Sequence, residues 1–87
     1  MKLINNQELD VTVTAVAPVG SMVDVEGVEG FIDQVKHPSW WSDETPPPQV
    51  GDRLHAVVLD DSRNPPRLSG LQVDIDIARR LRGDTVS

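Results

Sequence analysis

Apolar and polar positions alternate from Leu9 to Ala17, with Leu9, Val11, Val13, Ala15 and Ala17 on one side and Asp10, Thr12, Thr14 and Val16 on the other. A period of two is that of a half-buried strand. Pro18-Val19-Gly20 interrupts it, because proline fixes φ and glycine admits backbone closed to other residues. Alternation resumes from Ser21 to Val25, with Val23 and Val25 inward and Met22 and Asp24 outward. Glu26-Gly27 is a short polar step between β-rich runs, so Val28 to Val35 is predicted as the returning arm of a hairpin. Three strands thus form a meander.

From Lys36 to Gln49 the character changes: Pro38, Trp40, Trp41, Ser42-Asp43-Glu44-Thr45 and Pro46-Pro47-Pro48 cannot continue a central strand. A long irregular loop is expected, its prolines favouring stiff, extended backbone, and a loop of this length in a small domain is either functional or partly mobile. Val50-Gly51-Asp52 turns into a fourth strand, Arg53 to Asp60, where Leu54, Ala56 and Val58 face one way and Val57 and Leu59 make the other face apolar too. That reads as a central strand. Asp61 to Pro66 is a turn cluster, and Arg67 to Val73 is a fifth strand in which Gly70 marks a bulge or a close backbone approach. Ile75, Ala78 and Leu81 recur at helical spacing, with Asp74 and Asp76 at the start and Arg79, Arg80 and Arg82 at the end, where the helix dipole favours each sign of charge. The expectation is an all-β, five-stranded barrel over about residues 8–73 followed by a short C-terminal helix over about 74–82, all one domain.

Composition narrows the function. The 87 residues carry 8 cations and 14 anions, a net charge of -6, so diffuse attraction to nucleic acid or to an anionic membrane is not expected. The imbalance is local: residues 1–50 hold Lys2 and Lys36 against eight acids, whereas residues 51–87 hold six arginines against six acids. With no cysteine there are no disulfides, thiolate zinc sites or cysteine nucleophiles. No apolar run approaches the ~20 residues of a membrane helix, and Met1 to Asn6 is too short and polar for a signal peptide. No membrane contact is expected, and the cytoplasm is the default compartment. Phosphate-loop, nucleophile-elbow and zincin motifs are absent, and His37 and His55 lack a third ligand at metal spacing. The expectation is a protein without catalysis, cofactor or metal.

Several segments resemble the S1 domain family, a five-stranded OB-fold barrel known as an RNA-binding module. They are Val11 to Val16, the glycine-led Gly20-Ser21-Met22-Val23-Asp24-Val25, Glu29-Gly30-Phe31-Ile32-Asp33, Val50-Gly51-Asp52-Arg53-Leu54, Val57-Val58-Leu59-Asp60-Asp61 and Arg67-Leu68-Ser69. The resemblance implies an S1-like OB-fold and binding of single-stranded RNA on strands two and three. It also implies weak binding, because the family's stacking aromatics and histidine fall here on Val19, Met22 and Asp33. Of its ligand-facing set, Asp61 and Arg67 remain.

Two function classes follow. In the first, the domain is a non-enzymatic module that binds single-stranded RNA weakly, through Arg53, Arg67 and the tryptophan loop. In the second it is a degenerate S1 domain that holds a protein partner, a basic one if the acidic face of strands two and three is used. Trp40 and Trp41 are either a recognition segment, or one of them plugs the open end of the barrel while the other packs against Pro46 to Pro48. Arg53, Arg63 and Arg67 either converge near the turn between strands four and five or form surface ion pairs with Asp52, Asp60 and Asp61. Phe31, beside Gly30, is expected to be partial core. The candidate contact set is therefore Met22, Phe31, Asp33, Trp40, Trp41, Arg53, Asp61 and Arg67.

Overall fold

A computed structural model gives the structure of residues 1–83. Five strands, β1 (Glu8–Ala17), β2 (Gly20–Val25), β3 (Val28–Asp33), β4 (Arg53–Asp60) and β5 (Arg67–Ser69), close into a barrel in the order β1-β2-β3-β5-β4. One helix, α1 (Gln72–Leu81), packs on the outside of β4. Neighbouring strands are antiparallel except β3 with β5, so the architecture is the OB-type barrel expected.

The barrel interior is filled by Val11, Val13, Val23, Val25, Ile32, Ala56, Val58 and Leu68, each 5% exposed or less. Leu3 joins them from ahead of β1. Its segment is strapped to β4 and the turn beyond it: Asn6 N–H donates to Val58 O at 2.8 Å, and Asn5 and Asp61 exchange backbone-to-side-chain bonds at 3.0 and 2.6 Å. The β2–β3 hairpin turns on Glu26 and Gly27, both at positive φ (51° and 86°), the two-residue turn whose twist matches that of its strands.

Four sequence expectations need correction. Ala15 and Ala17 do not face inward: the β1–β2 register shifts between Val13 and Ala15, which turns the rest of the strand to solvent. A strand of ten residues that pairs with β4 through Glu8 to Thr12 and with β2 through Thr12 to Ala17 has to bend, and a bulge supplies the bend. The third strand ends at Asp33, not Val35, because the Asp33 carboxylate accepts the Val35 N–H at 3.1 Å and starts a 3₁₀ turn, Gln34–Lys36. The fifth strand ends at Ser69, not Val73. The Ser69 hydroxyl accepts the Leu71 N–H at 3.1 Å and donates to Asp74 at 2.6 Å, so the chain turns and the helix begins at Gln72 instead of Asp74. Gly70 is the close approach, its N–H bonded to Lys36 O at 2.9 Å. Finally, the apolar outer face of β4 does not mark a central strand, since a closed barrel has neither centre nor edge; Val57 is buried there beneath Ile75 and Ala78.

A cluster of charges also ties α1 to the barrel. Glu8 receives Arg79 Nε at 3.0 Å, His55 Nε2 at 2.7 Å, and Arg82. These bonds, that of Arg79 foremost, hold the Glu8 carboxyl well below the ordinary glutamate range. The other ring nitrogen of His55 meets Asp10 at 2.9 Å. Both nitrogens face acceptor-only carboxylates, so the imidazolium is favoured and the His55 pKa is raised, chiefly by Glu8. Arg79 and Arg82 therefore have a partner across the fold, besides their place at the negative end of the helix dipole.

Candidate functional site

The loop after β3 decides the surface. His37 is 9% exposed, and its Nδ1 accepts the Ser39 N–H at 3.1 Å, which starts a second 3₁₀ turn, Pro38–Trp40. Burial pushes the His37 pKa down, so the ring stays neutral as this acceptor requires. Trp41 is anchored differently: its Nε1–H donates to Val35 O at 2.7 Å. Neither tryptophan plugs the barrel, for Trp40 is 53% and Trp41 68% exposed. Two adjacent indoles are thus held open to solvent beside the Gln34–Lys36 turn.

On the Val35 side of that turn lies a cationic cleft. Phe31, half-buried on β3, carries the Arg67 guanidinium 4.5 Å from its ring centroid. The cleft measures about 250 Å³ and also takes in Arg63, Lys36, Asp33 and Leu59. Lys36 is shared with Asp74 at 3.0 Å. Arg63 and Arg67 form no ion pair among the described residues; their charges act through space on Asp60, whose carboxyl is lowered first by the Ser62 hydroxyl and N–H. Phe31 can lie flat here because Gly20 stands beneath it: a side chain on Gly20 would collide with the Phe31 ring and the Ile32 carbonyl. The glycine that leads strand two is the seat of that ring.

The structure separates the sequence-derived candidates. Phe31, Asp33 and Arg67 come together in the cleft, Met22 pairs with Phe31 across β2–β3, and Trp41 is held beside Val35. Arg53 is elsewhere. It starts β4, and Arg67 pairs with Asp60 at the other end of that strand, so of the two readings left open by the sequence the convergence of Arg53 with Arg63 and Arg67 does not occur. Arg53 instead flanks Asp10, Asp24 and Glu26 near the β2–β3 turn. The Asp61 carboxylate is committed to the Asn5 N–H. Lys36 is the cation that the sequence did not single out for this cleft, whereas Arg63 was weighed as a neighbour of Arg67 but left out of the contact set; the chain reversal at Asp33 and the β4–β5 turn bring both to Arg67.

Solved structures superpose on this barrel, among them the following two. A multidomain protein with nucleic acid binding domains from Streptococcus pneumoniae matches with a TM-score of 0.59 at 20% identity over 82% of this chain, which spans 25% of that one. GSP13 from Bacillus subtilis matches with a TM-score of 0.61 at 20% identity over 99% of this chain and 74% of its own. At such identity the likeness establishes the fold. No protein-family model and no curated protein matches the sequence. Among the described residues no helix is long and apolar enough to cross a membrane.

Proposed function

We propose that the domain is a non-enzymatic module that binds single-stranded nucleic acid, RNA in the first place, on the Phe31–Arg67 cleft. The observation that carries this reading is the guanidinium of Arg67 stacked on Phe31 beside Arg63 and Lys36. Cations hold the phosphates of a single strand, and a guanidinium carried on an aromatic ring can itself stack against a base. The resemblance to S1 domains and the nucleic acid binding domains of the pneumococcal neighbour support it.

The departures from the S1 pattern move the contact surface. Val19, Met22 and Asp33 offer no stacking face, and Asp24, Glu26 and Glu29 make the far end of the β2–β3 hairpin acidic, so the strand is expected at the opposite end. Three cations with Asp33 among them make a weak site. Contacts to two or three phosphates give a slope of about -1.4 to -2 in log affinity against log salt for a single strand. Titration of a fluorescent RNA oligomer between low and moderate salt checks this. Arg67→Ala is expected to weaken binding and to flatten the slope by about 0.7, whereas Arg53→Ala should leave both unchanged.

The alternative, a protein-interaction module, draws on the two exposed indoles. Indifference to RNA together with a stable complex with a basic protein would favour it.

A further inference from the structure

On the Gln34 side of the same turn is a second cleft, of about 200 Å³ and mostly apolar. One wall is Val16 and Pro18, the other is the indole of Trp40 with Pro48, and Gln34 and Ser21 also line it. Three observations say what it takes. First, Trp40 is about half exposed although the cleft it lines is mostly apolar, so the fold leaves much of this aromatic side chain uncovered. Second, the cleft adjoins the cationic one: Gly20 lines it and Gln34 stands beside Val35, while the Phe31 ring rests on Gly20 and Arg67 rests on Phe31. Third, the Gln34 side chain is exposed and makes no hydrogen bond among the described residues, so both an acceptor and donors stand free beside the apolar walls.

We infer that the Trp40 cleft is a slot for one base of the strand whose phosphates lie along Arg63 and Arg67. This rests on the nucleic-acid reading above. A base has one π-face for Trp40, an apolar rim for Val16 and Pro18, and a polar edge for the Gln34 amide, and its phosphate falls toward the adjoining cations. The chain has two tryptophans, one phenylalanine and no tyrosine, and Val19, Met22 and Asp33 cannot stack. Stacking is thereby transferred from the strands to the loop.

The test compares two probes on four proteins. The probes are a short single-stranded RNA and an oligomer of equal length with abasic riboses; the proteins are the wild type, Trp40→Ala, Trp40→Phe and Arg67→Ala, each checked for an unaltered amide spectrum. Trp40→Ala is expected to weaken the RNA by roughly tenfold while changing the abasic oligomer by less than about twofold, with Trp40→Phe recovering most of the loss. Arg67→Ala should weaken both probes. If Trp40→Ala weakens both probes alike, or neither, while Arg67→Ala still acts, the slot is wrong and the nucleic-acid reading stands. If the wild type binds neither probe, both fall together.

Discussion

The two histidines make opposite statements about pH. His55 lies between Glu8 and Asp10, which raise its pKa above 6.5, whereas burial lowers that of His37 below 6.5 despite nearby Asp52. Ring-proton shifts across a pH series should therefore show His55 titrating above 6.5 and His37 below it; the reverse order would disprove the assigned contacts. The stability signs follow. The His55 contribution is fully present below 6.5 and is lost as pH rises through its raised pKa. Glu8 contributes above its ordinary 4.5, and that part is lost as the pH falls below this value. The neutral, buried His37 loses stability as pH falls below 6.5, because the unfolded chain takes up the proton more readily. A residue-scale change should raise stability: Glu26 holds a φ of 51°, where asparagine is at ease. Glu26→Asn is expected to gain about 0.5–1 kcal/mol in denaturant unfolding. None of these partners was legible in sequence. His55 meets Asp10 because β1 and β4 are neighbours, a pairing of residues 45 apart.

At the scale of elements, what alternation could show, it showed. β1, β2 and β4 were visible because apolar residues recur at every second position, and β3 because Glu26-Gly27 is a short polar step that makes Val28 onward the returning arm of a hairpin. The ends of elements were hidden, since side chains set them: Asp33 stops β3, and Ser69 with Asp74 stops β5 and starts α1. The inward side of β1 was legible only as far as the bulge after Val13, for a bulge leaves no mark in the hydrophobic pattern. The helix covers Val57 with Ile75 and Ala78, so α1 is part of the stable unit and not a loose appendage. Ile75→Ala is expected to cost about 2–3 kcal/mol in denaturant unfolding and to lower hydrogen-exchange protection in α1 first. A loss below about 0.5 kcal/mol would mean that the helix is not docked as described.

The whole molecule separates its charges. Asp24, Glu26 and Glu29 gather at the tip of the β2–β3 hairpin, while Lys36, Arg63 and Arg67 gather where β3, β5 and the loop turns meet. A net charge of -6 conceals this, and so does the split between the two halves of the chain, because Lys36 belongs to the acidic half. The candidate site was therefore legible as a set of residue types but not as a place: Phe31, Arg67 and the tryptophans were named together with Arg53 and Asp61, which the fold sets apart from the Phe31–Arg67 cleft. The central claim, that a single strand binds at the cationic and aromatic end, is tested most directly by a low-salt amide shift titration of the labelled protein with single-stranded RNA. The expected result is shifts at Phe31, Asp33, Val35, Lys36 and Arg67 and in the loop around Trp40 and Trp41, fading as salt is added. Shifts centred on Asp24, Glu26 and Glu29, or none at millimolar RNA, would contradict the account.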